Sequence, residues 1–323
     1  MATLLKEEDV RRLLTMDEAL AAVEDAFRAV SRGEAINVPR QRGTLDGATI
    51  NVLCAISTAL DVMGIKCYPI VRRDVTVGSS FTMLVYKIST GALIGVLEAD
   101  SLGQIRTGAA SGIATKYLAR RESRVMTIFG AGWQARSQLE SISRVLPKLE
   151  RVNVVGRSRE RVQRFCVEMA ERLHLELIPS SNPERAVMQA DVVTTITGSS
   201  EPVFDGRWLR PGVHINAAGS NFAEKQELDA TAVRRADRIV VDDPAVARIE
   251  CGDLVNAEAK IGINWNAVRS LSEIVGGTMP GRACPEEITL FESHGLGLED
   301  LAVACRVLEI ARHQGIGMEI PLR

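Results

Sequence analysis

The sequence is poor in aromatic residues and has no long apolar run. Phe, Trp and Tyr make up only 4% of the chain, which argues against the stacking surfaces that bind single-stranded nucleic acid. The net charge of −2 provides no basic surface for nucleic acid or an anionic membrane. No stretch reaches membrane-spanning length, and the N-terminus lacks the apolar core of a signal peptide. We therefore expect a cytoplasmic protein with neither nucleic-acid nor membrane partners.

Metal-site spacings and disulfide patterns are missing too. The four histidines (His174, His214, His294 and His313) lie far apart, without the ligand spacing of a zinc site. The six cysteines form no C-x-x-C pair, and scattered cysteines of this kind are typical of free thiols in a reducing compartment. We predict no metal site.

The length of 323 residues suggests two domains. Thr15, with Glu18 three positions later, predicts the start of a helix that ends at Gly33. Short strands are predicted at 49–57, 64–71, 81–88 and 92–98. For the first hundred residues we therefore predict an α+β region whose sheet is mostly antiparallel.

A helix with many small residues is predicted next, over 101–118. Its glycines and alanines, among them Gly103 and Gly108, are too small to fill a core by themselves. Either a partner helix or a cofactor should therefore lie close against it.

The central motif of the chain is a strand, a glycine turn and a helix at 125–145. Val125–Phe129 is a short apolar run, and the turn reads Gly130-x-Gly132-x-x-Ala135. In this context the pattern predicts dinucleotide binding, with the pyrophosphate at the N-terminus of the helix. Gly130 permits the turn, Gly132 lets a phosphate approach the backbone, and Ala135 allows close packing of the helix on the strand.

Alternating strands and helices follow the motif, which is typical of a doubly wound parallel sheet. Strands are predicted at 125–129, 152–155, 175–178, 191–196, 213–218 and 238–242. Six strands suit the two-halved dinucleotide-binding fold. A last helix, at about 298–312, has no strand to pair with afterwards, so we expect it to return to the first domain.

The second strand of this sheet indicates which nicotinamide cofactor is bound. Enzymes that use NAD place an acidic residue near its end to bind the ribose 2′-hydroxyl. Here Arg157 and Ser158 follow the strand instead. Arg157 is suited to pairing with a 2′-phosphate and Ser158 to donating a hydrogen bond to it. The sequence therefore favours NADP, with NADPH preferred over NADH.

Four cations stand among apolar residues of the first domain. They are Arg40 and Arg42, in a predicted loop after Pro39, together with Lys66 and Arg106. Each could be a surface group or half of a structural ion pair, since buried Lys and Arg are rarely unpaired. Together they suit the recognition of a small carboxylate.

With these residues, the chain resembles the ornithine cyclodeaminase/μ-crystallin family over nearly its whole length. The segments that carry the resemblance are Pro39–Arg42, Gly64–Lys66, Glu98–Asp100, Ile105–Gly112, Gly130–Ala135, Asn216–Asn221, Ser293–Gly297 and Glu299–Leu301. The resemblance implies a homodimer. It also implies a substrate-binding and dimerisation domain at 1–119 with 298–323, and a Rossmann domain that binds NAD(P) at 120–297.

The resemblance also implies roles for individual residues. Arg42, Lys66 and Arg106 would hold the substrate carboxylate, with Arg40 as the rival of Arg42, and Lys66 would also transfer a proton to the substrate nitrogen. The cofactor would be lined by Thr107, Gly130, Gly132, Trp133, Gln134, Ala135, Arg157, Ser158, Ala217 and Ser293.

One departure from the family pattern bears on the reaction. Cyclodeaminases have an aspartate where this chain has Asn221, and Asn cannot take a proton from an amine or water at neutral pH. The ketimine reductase-like branch is similar in lacking that aspartate, and there Asn221 would hydrogen-bond the substrate nitrogen or a water.

We therefore predict an NAD(P)H-dependent reductase of a small α-imino acid, such as pyrroline-2-carboxylate or piperideine-2-carboxylate. The alternatives are an ornithine cyclodeaminase, an ammonia-lyase that uses NAD catalytically, an oxidoreductase of amino acids like alanine dehydrogenase, and a non-catalytic NADPH-binding protein.

Overall fold

The computed structural model describes residues 1–71 and 80–321 of the chain. They form two compact units: unit 1 comprises residues 1–106 and the C-terminal part from Leu296, and unit 2 comprises Thr107–Gly295. The first boundary between the units follows Arg106, inside the helix Asp100–Leu118. The sequence predicted it after this helix, at residue 119. The last two residues of the predicted range 298–323 lie outside the described residues. No helix in the described ranges is both long and apolar enough to cross a membrane.

Unit 1 is a mostly antiparallel sheet with helices. Its strands follow the order β15-β1-β6-β5-β4-β3-β2, and of these neighbours β1 and β6 pair in parallel. The elements in chain order are β1 (Ala2–Leu5), α1 (Glu7–Leu13), α2 (Met16–Ser31), β2 (Ala35–Leu45), β3 (Ala48–Ser57), β4 (Val62–Val71), β5 (Thr82–Lys87), β6 (Leu93–Glu98) and the start of α3 (Asp100–Leu118), and later α11 (Gly297–Gln314) and β15 (Met318–Ile320).

The strand β2 corrects the prediction of a loop around Arg40 and Arg42. These residues belong to an eleven-residue strand that pairs with β3, and the pairing register shifts between Val38 and Gln41. Such a bulge bends a strand and redirects its side chains. Pro39 is tolerated here because β2 lies at the edge of the sheet and a proline donates no backbone hydrogen bond.

The C-terminal helix α11 packs against the sheet of unit 1, as the sequence predicts. A Cβ placed on Gly64 of β4 would lie 2.7 Å from the Cδ1 atom of Leu301, and one on Gly95 of β6 would overlap Leu308. Glycine at these two strand positions therefore leaves the space that Leu301 and Leu308 of α11 occupy.

Unit 2 is a parallel sheet of eight strands in the order β13-β12-β14-β11-β10-β7-β8-β9. Its elements are α3 from Thr107 onward, β7 (Val125–Phe129), α4 (Trp133–Val145), β8 (Arg151–Val155), α5 (Arg159–Leu173), β9 (Glu176–Pro179), α6 (Pro183–Gln189), β10 (Val192–Thr195), a 3-10 turn (Gly206–Trp208), β11 (His214–Ala217), α7 (Ala230–Arg235), β12 (Arg238–Val241), α8 (Pro244–Glu250), α9 (Gly252–Ile261), β13 (Arg269–Ser270), α10 (Leu271–Val275) and β14 (Thr289–Glu292).

The predicted fold class is confirmed: a Rossmann sheet is combined with an α+β region that the C-terminal helix completes. All six predicted strands are present, as β7 to β12, but β13 and β14 were not predicted. β14 lies between β11 and β12. β14 escaped prediction because it has only four residues and follows a long segment rich in turn residues.

The small residues of α3 allow close helix packing within unit 2. A Cβ on Gly108 would overlap the backbone of Ser137 in α4, and the side chain of Gln138 donates to the carbonyl of Thr107 over 3.2 Å. At Gly108 it is therefore a partner helix, one of the two predicted alternatives, that lies against α3.

A buried histidine in the middle of this sheet is held neutral. His214 is fully enclosed, with Nδ1 2.9 Å from the hydroxyl of Thr289 and Nε2 3.1 Å from the side-chain oxygen of Asn216. Burial, together with the charge of Arg282, lowers the pKa of His214 from 6.5 to about 3. Between pH 6.5 and about 3, the unfolded chain therefore binds a proton on His214 that the folded chain does not bind.

We expect this histidine to give the protein a pH-dependent stability. Between pH 6.5 and about 3 the unfolded state binds the extra proton, so the free energy of unfolding rises with pH and falls as pH drops below 6.5. One such proton contributes about 1.4 kcal/mol per pH unit. His214→Gln should flatten this slope in urea unfolding between pH 6.5 and 4.5, whereas His313→Gln, at an exposed position, should leave it unchanged. Equal slopes in the wild type and His214→Gln would contradict this role.

Candidate active site

In unit 2, several residues predicted to bind a dinucleotide lie at the carboxyl ends of the parallel strands. β7 and β10 are parallel neighbours with Phe129 opposite Thr195, and β11 and β14 are neighbours with Ala217 opposite Glu292. Gly130, Ala217 and Ser293 therefore come at the carboxyl ends of adjacent strands. The chain winds outward in both directions from β7 and β10, and such a switch point is where doubly wound sheets bind ligands.

The glycine turn has the geometry that a pyrophosphate needs. Gly130 has a φ of 115°, and a Cβ there would lie 2.5 Å from the carbonyl oxygen of Ile196. A Cβ on Gly132 would meet no atom within 4 Å, so the space beside the backbone is open. Gly132 precedes α4, whose first turn has no capping side chain and no acidic residue. Its N–H groups and the helix dipole are therefore available to an anion.

The side chains around this turn also fit the predicted role. Trp133 is 45% exposed, whereas Ala135 is fully buried against the core, as close packing of helix on strand requires. The buried side-chain oxygen of Gln134 has no hydrogen-bond partner among the described residues, so it is left as an acceptor for a bound group. The residues of the turn thus fit a dinucleotide.

Arg157 and Ser158 follow the second strand of the sheet, β8, as predicted, and both are exposed. The hydroxyl of Ser158 accepts a hydrogen bond from the backbone N–H of Arg161 and caps α5, while its own hydrogen stays available to donate. Within residues 1–71 and 80–321, no ion pair is seen for Arg157. Its guanidinium can therefore meet an anion on the ribose.

Asn221 lies in the segment after β11, and its side chain is half-buried. This segment is anchored by Glu227, whose carboxylate accepts from the backbone N–H groups of Gly219 and Thr197 over 2.9 and 2.6 Å. The amine of Lys225 lies 5.6 Å from the ring centroid of Phe222. The segment that carries Asn221 is therefore tied to the carboxyl ends of β10 and β11.

In unit 1, a buried cluster of charges surrounds Lys66. The amine of Lys66 is 2.8 Å from Oδ1 of Asp300 on α11, and both side chains are almost fully enclosed. A Cβ on Gly103 would lie 2.7 Å from the same amine, so the glycine of α3 makes room for it. Phe81, which stacks on Tyr68, lies 5.5 Å from the amine.

Arg106 binds the same carboxylate from α3. Its Nε donates to Oδ1 of Asp300 over 2.9 Å, and Nη1 donates to Glu299 over 2.8 Å. Burial opposes the charge of Arg106, but Asp300 and Glu299 more than offset it and raise its pKa. For Lys66, burial dominates, and its pKa is lowered despite the attraction of Asp300. Lys66 therefore gives up its proton more readily than an exposed lysine.

Of the two arginines on β2, Arg40 is the one that acts on this cluster. Its positive charge contributes to lowering the pKa of Lys66, after burial and the charge of Arg106. The Nε of Arg42 instead donates to the side chain of Asn51 over 2.9 Å. The choice between Arg40 and Arg42 as the third cation beside Lys66 and Arg106 therefore stays a prediction.

The sequence did not assign Asp300, Glu299 or Gly103 to the site. The two acids entered only as part of Glu299–Leu301, one of the segments that carry the family resemblance. A signal was present, since cations among apolar residues need acids nearby if they are buried, and this acidic pair interrupts the otherwise apolar stretch from Leu298 to Cys305. Which acids meet which cations depends on the fold, because Lys66 and Asp300 are 234 positions apart.

Comparison with known proteins gives a match over almost the whole chain. Residues 1–315 match the model of the ornithine cyclodeaminase/mu-crystallin family. A Delta(1)-pyrroline-2-carboxylate reductase of Bacillus cereus is 33% identical over 325 residues, which covers 98% of both chains.

Solved structures with the same fold include two reductases and a dehydrogenase, each with a bound nicotinamide cofactor. The Delta(1)-pyrroline-2-carboxylate reductase of Thermococcus litoralis, in complex with NADH and L-proline, is 31% identical with a TM-score of 0.93, covering 98% of this chain and 100% of its own. An archaeal alanine dehydrogenase dimer with bound NAD is 33% identical, also at 0.93, covering 100% and 99%. The iminosuccinate reductase of Paracoccus denitrificans with NAD+ is 29% identical at 0.93, covering 99% of each.

We predict that Asp300→Asn destabilises the protein strongly. The change leaves Lys66 and Arg106 buried without the carboxylate that both bind, and breaking a buried ion pair costs about 3–5 kcal/mol. Urea unfolding followed by circular dichroism measures the loss. Adding Lys66→Met to Asp300→Asn should recover part of it, because one uncompensated charge is then removed.

The matched control is Glu309→Gln on the same helix. Glu309 pairs with Arg306 at the surface, and exposed pairs contribute about 0–1 kcal/mol. If Asp300→Asn cost no more than this control, the shared carboxylate would not be what holds the two cations in place.

Proposed function

Because this chain belongs to the ornithine cyclodeaminase/mu-crystallin family, we propose that it is a nicotinamide-dependent reductase of a small α-imino acid. The family resemblance drawn from the motifs is thereby confirmed. The observation that carries the proposal is the buried cluster of unit 1, in which Lys66 and Arg106 share Asp300 and Arg40 adds a further positive charge.

The charges of this cluster suit the binding of one carboxylate. Asp300 and Glu299 meet the charges of Lys66 and Arg106, and Arg40 adds a further positive charge that acts on Lys66. A substrate carboxylate would neutralise it, and an arginine offers the planar pair of donors that carboxylates prefer. A neutral imine would leave the charge uncompensated.

The reaction needs a hydride for the imine carbon and a proton for the nitrogen. A reduced nicotinamide bound at the glycine turn of unit 2 would supply the hydride. Lys66 would supply the proton, since burial lowers its pKa and a general acid works best when its pKa approaches the working pH. The C=N double bond becomes a single bond, and Lys66 regains a proton from solvent afterwards.

Asn221 argues against the cyclodeaminase reaction. Ammonia loss and ring closure need a group that takes a proton from an amine or water, which an amide cannot do. Reductive amination of a keto acid is closer to the proposal, because it passes through an imine that carries the same carboxylate. We therefore place pyruvate with ammonia among the substrates to be tested.

The decisive assay follows the loss of NADPH with pyrroline-2-carboxylate and piperideine-2-carboxylate, with NADH and pyruvate plus ammonia run alongside. Fast oxidation is expected with a cyclic imino acid. Lys66→Met should lower kcat by about 10²–10⁴-fold, the usual contribution of general acid catalysis. Lys87→Met, at a surface ion pair with Asp61, is the matched control and should keep wild-type kcat.

Two other outcomes would overturn the proposal. Ammonia released from L-ornithine without net NADPH loss would make the protein a cyclodeaminase and refute the argument from Asn221. NADPH binding without turnover of any imine would make it a non-catalytic binding protein.

We also propose that NADPH is preferred over NADH. The solved relatives carry NADH or NAD, so this preference depends on the residues of this chain. Arg157 and Ser158 stand exposed after β8, where an acidic residue would select NAD. A 2′-phosphate there would gain a charged hydrogen bond from the guanidinium.

Arg157→Ala should weaken NADPH binding and leave NADH binding unchanged. A hydrogen bond to a charged group contributes about 1.5–3 kcal/mol, so the Kd for NADPH should rise about tenfold to a hundredfold. Fluorescence titration measures both constants. Arg164→Ala, in the exposed pair with Glu160 on α5, controls for general loss of positive charge. Equal effects of Arg157→Ala on both cofactors would refute the assignment.

The exposed face of the unit 1 sheet supports a homodimer. Ile36, Ile56 and Met63 lie opposite one another on β2, β3 and β4 and are 54%, 37% and 36% exposed. A contiguous apolar row of this kind marks an interface, and one solved relative is a dimer. We propose that residues 1–119 and 298–323 bind substrate and the second copy, while 120–297 bind the cofactor. Sedimentation equilibrium should give twice the chain mass, and a monomer would refute the dimer.

A further inference from the structure

A second buried cluster, in unit 2, has no part in the proposed reaction. It consists of Cys251, between α8 and α9, Glu292, at the end of β14, and His294, just beyond. Each of these side chains is at most 4% exposed. One ligand atom from each lies within 4.8 Å of the other two. A thiol, a carboxylate and an imidazole are thus gathered in the interior.

Hydrogen bonds do not satisfy every acceptor of this cluster. Oε1 of Glu292 is buried and has no hydrogen-bond partner among the described residues, and an unmet buried polar atom calls for an explanation. Burial, reinforced by Asp253, raises the pKa of Glu292 well above its usual range. Burial likewise raises the pKa of the Cys251 thiol, with Glu292 and Asp253 adding to the effect.

The imidazole of His294 is oriented by a carboxylate. Its Nδ1 lies 3.2 Å from Oδ1 of Asp242. Asp242 is itself fixed, because its Oδ2 accepts from the backbone N–H groups of His294 and Gly295 over 2.6 and 2.8 Å. A histidine held in this way through one ring nitrogen can present the other to a metal, and carboxylate–histidine pairs of this kind accompany most histidine ligands.

We propose that Cys251, Glu292 and His294 bind one divalent metal ion of the zinc type. Thiolate, imidazole and carboxylate together are a donor set that zinc accepts. Zinc ligands lie about 2.0–2.3 Å from the ion at the corners of a tetrahedron, so two donors are about 3.3–3.8 Å apart. The observed span of up to 4.8 Å therefore needs the side chains to close by about 1 Å when the ion binds.

Binding the ion would displace the proton of the thiol, because the thiolate is the form that ligates zinc, and no oxidation or reduction is involved. The ion would supply the positive charge that this acidic interior lacks. It would also join the start of α9 to the end of β14. Two of its ligands, Glu292 and His294, lie on either side of Ser293, a predicted cofactor residue. This site is independent of the reductase proposal.

The spacing of residues along the chain did not indicate this site. Zinc sites are recognised in a sequence by spaced histidines and C-x-x-C pairs, whereas the three donors here are of three types and come from two distant segments, around 251 and 292–294. Only the pairing of β11 and β12 with β14 explains why the end of β14 lies deep in unit 2.

The test is the metal content of the full-length, untagged protein. Elemental analysis should find about one zinc per chain as purified. After removal of the metal by a chelator, Co²⁺ should bind one per chain and give the absorption of a cobalt–thiolate bond. Cys251→Ser should abolish that absorption, whereas Cys284→Ser, at an exposed free cysteine, should retain it.

Two results would overturn the site. One is a wild-type protein that carries far less than one metal per chain and shows no cobalt–thiolate absorption after loading. The other is a folded Cys251→Ser variant with full metal content, since the ion would then be elsewhere. If that variant fails to fold, Glu292→Gln decides: it should weaken Co²⁺ binding at least tenfold, and unchanged affinity would refute the assignment.

Discussion

The carboxylate of Asp300 is the contact on which the substrate side of this protein depends. One oxygen accepts from both Lys66 and Arg106, and neither cation could stay enclosed without it, because an unpaired buried charge is too costly. The pairing ties α11 to β4 and α3. It explains why the end of the chain returns to its beginning: the helix that supplies the acid must pack on the sheet that supplies the lysine.

The cofactor side relies on a different physical device. In unit 2 the predicted anion site is made of backbone, with an open glycine turn and the uncapped start of α4. Backbone N–H groups and a helix dipole bind phosphate with no buried charge to balance. The proposed carboxylate site of unit 1 needs charged side chains, and with them the acids that keep those side chains stable before substrate arrives. Each proposed anion site thus uses the groups that the architecture of its unit offers.

Local features were predictable from the sequence and long-range pairings were not. The strand, glycine turn and helix around Gly130 are encoded within twenty residues, and the structure has them as predicted. The bulged strand that carries Arg40 was missed because proline and glycine punctuate it. The insertion of β14 into the sheet, the pairing of Lys66 with Asp300 and the meeting of Cys251 with Glu292 join distant segments. No periodicity or spacing records such contacts, and they follow only from the folded topology.

We propose that the buried cations of unit 1 select an imine by its carboxylate. The most direct measurement compares kcat/KM for pyrroline-2-carboxylate with that for the same ring without the carboxylate, at saturating NADPH. Loss of a buried charge partner costs about 2 kcal/mol or more, so the carboxylate-bearing ring should be favoured at least about thirtyfold. Equal values for the two rings would contradict the account, since the cluster would then contribute nothing to substrate choice.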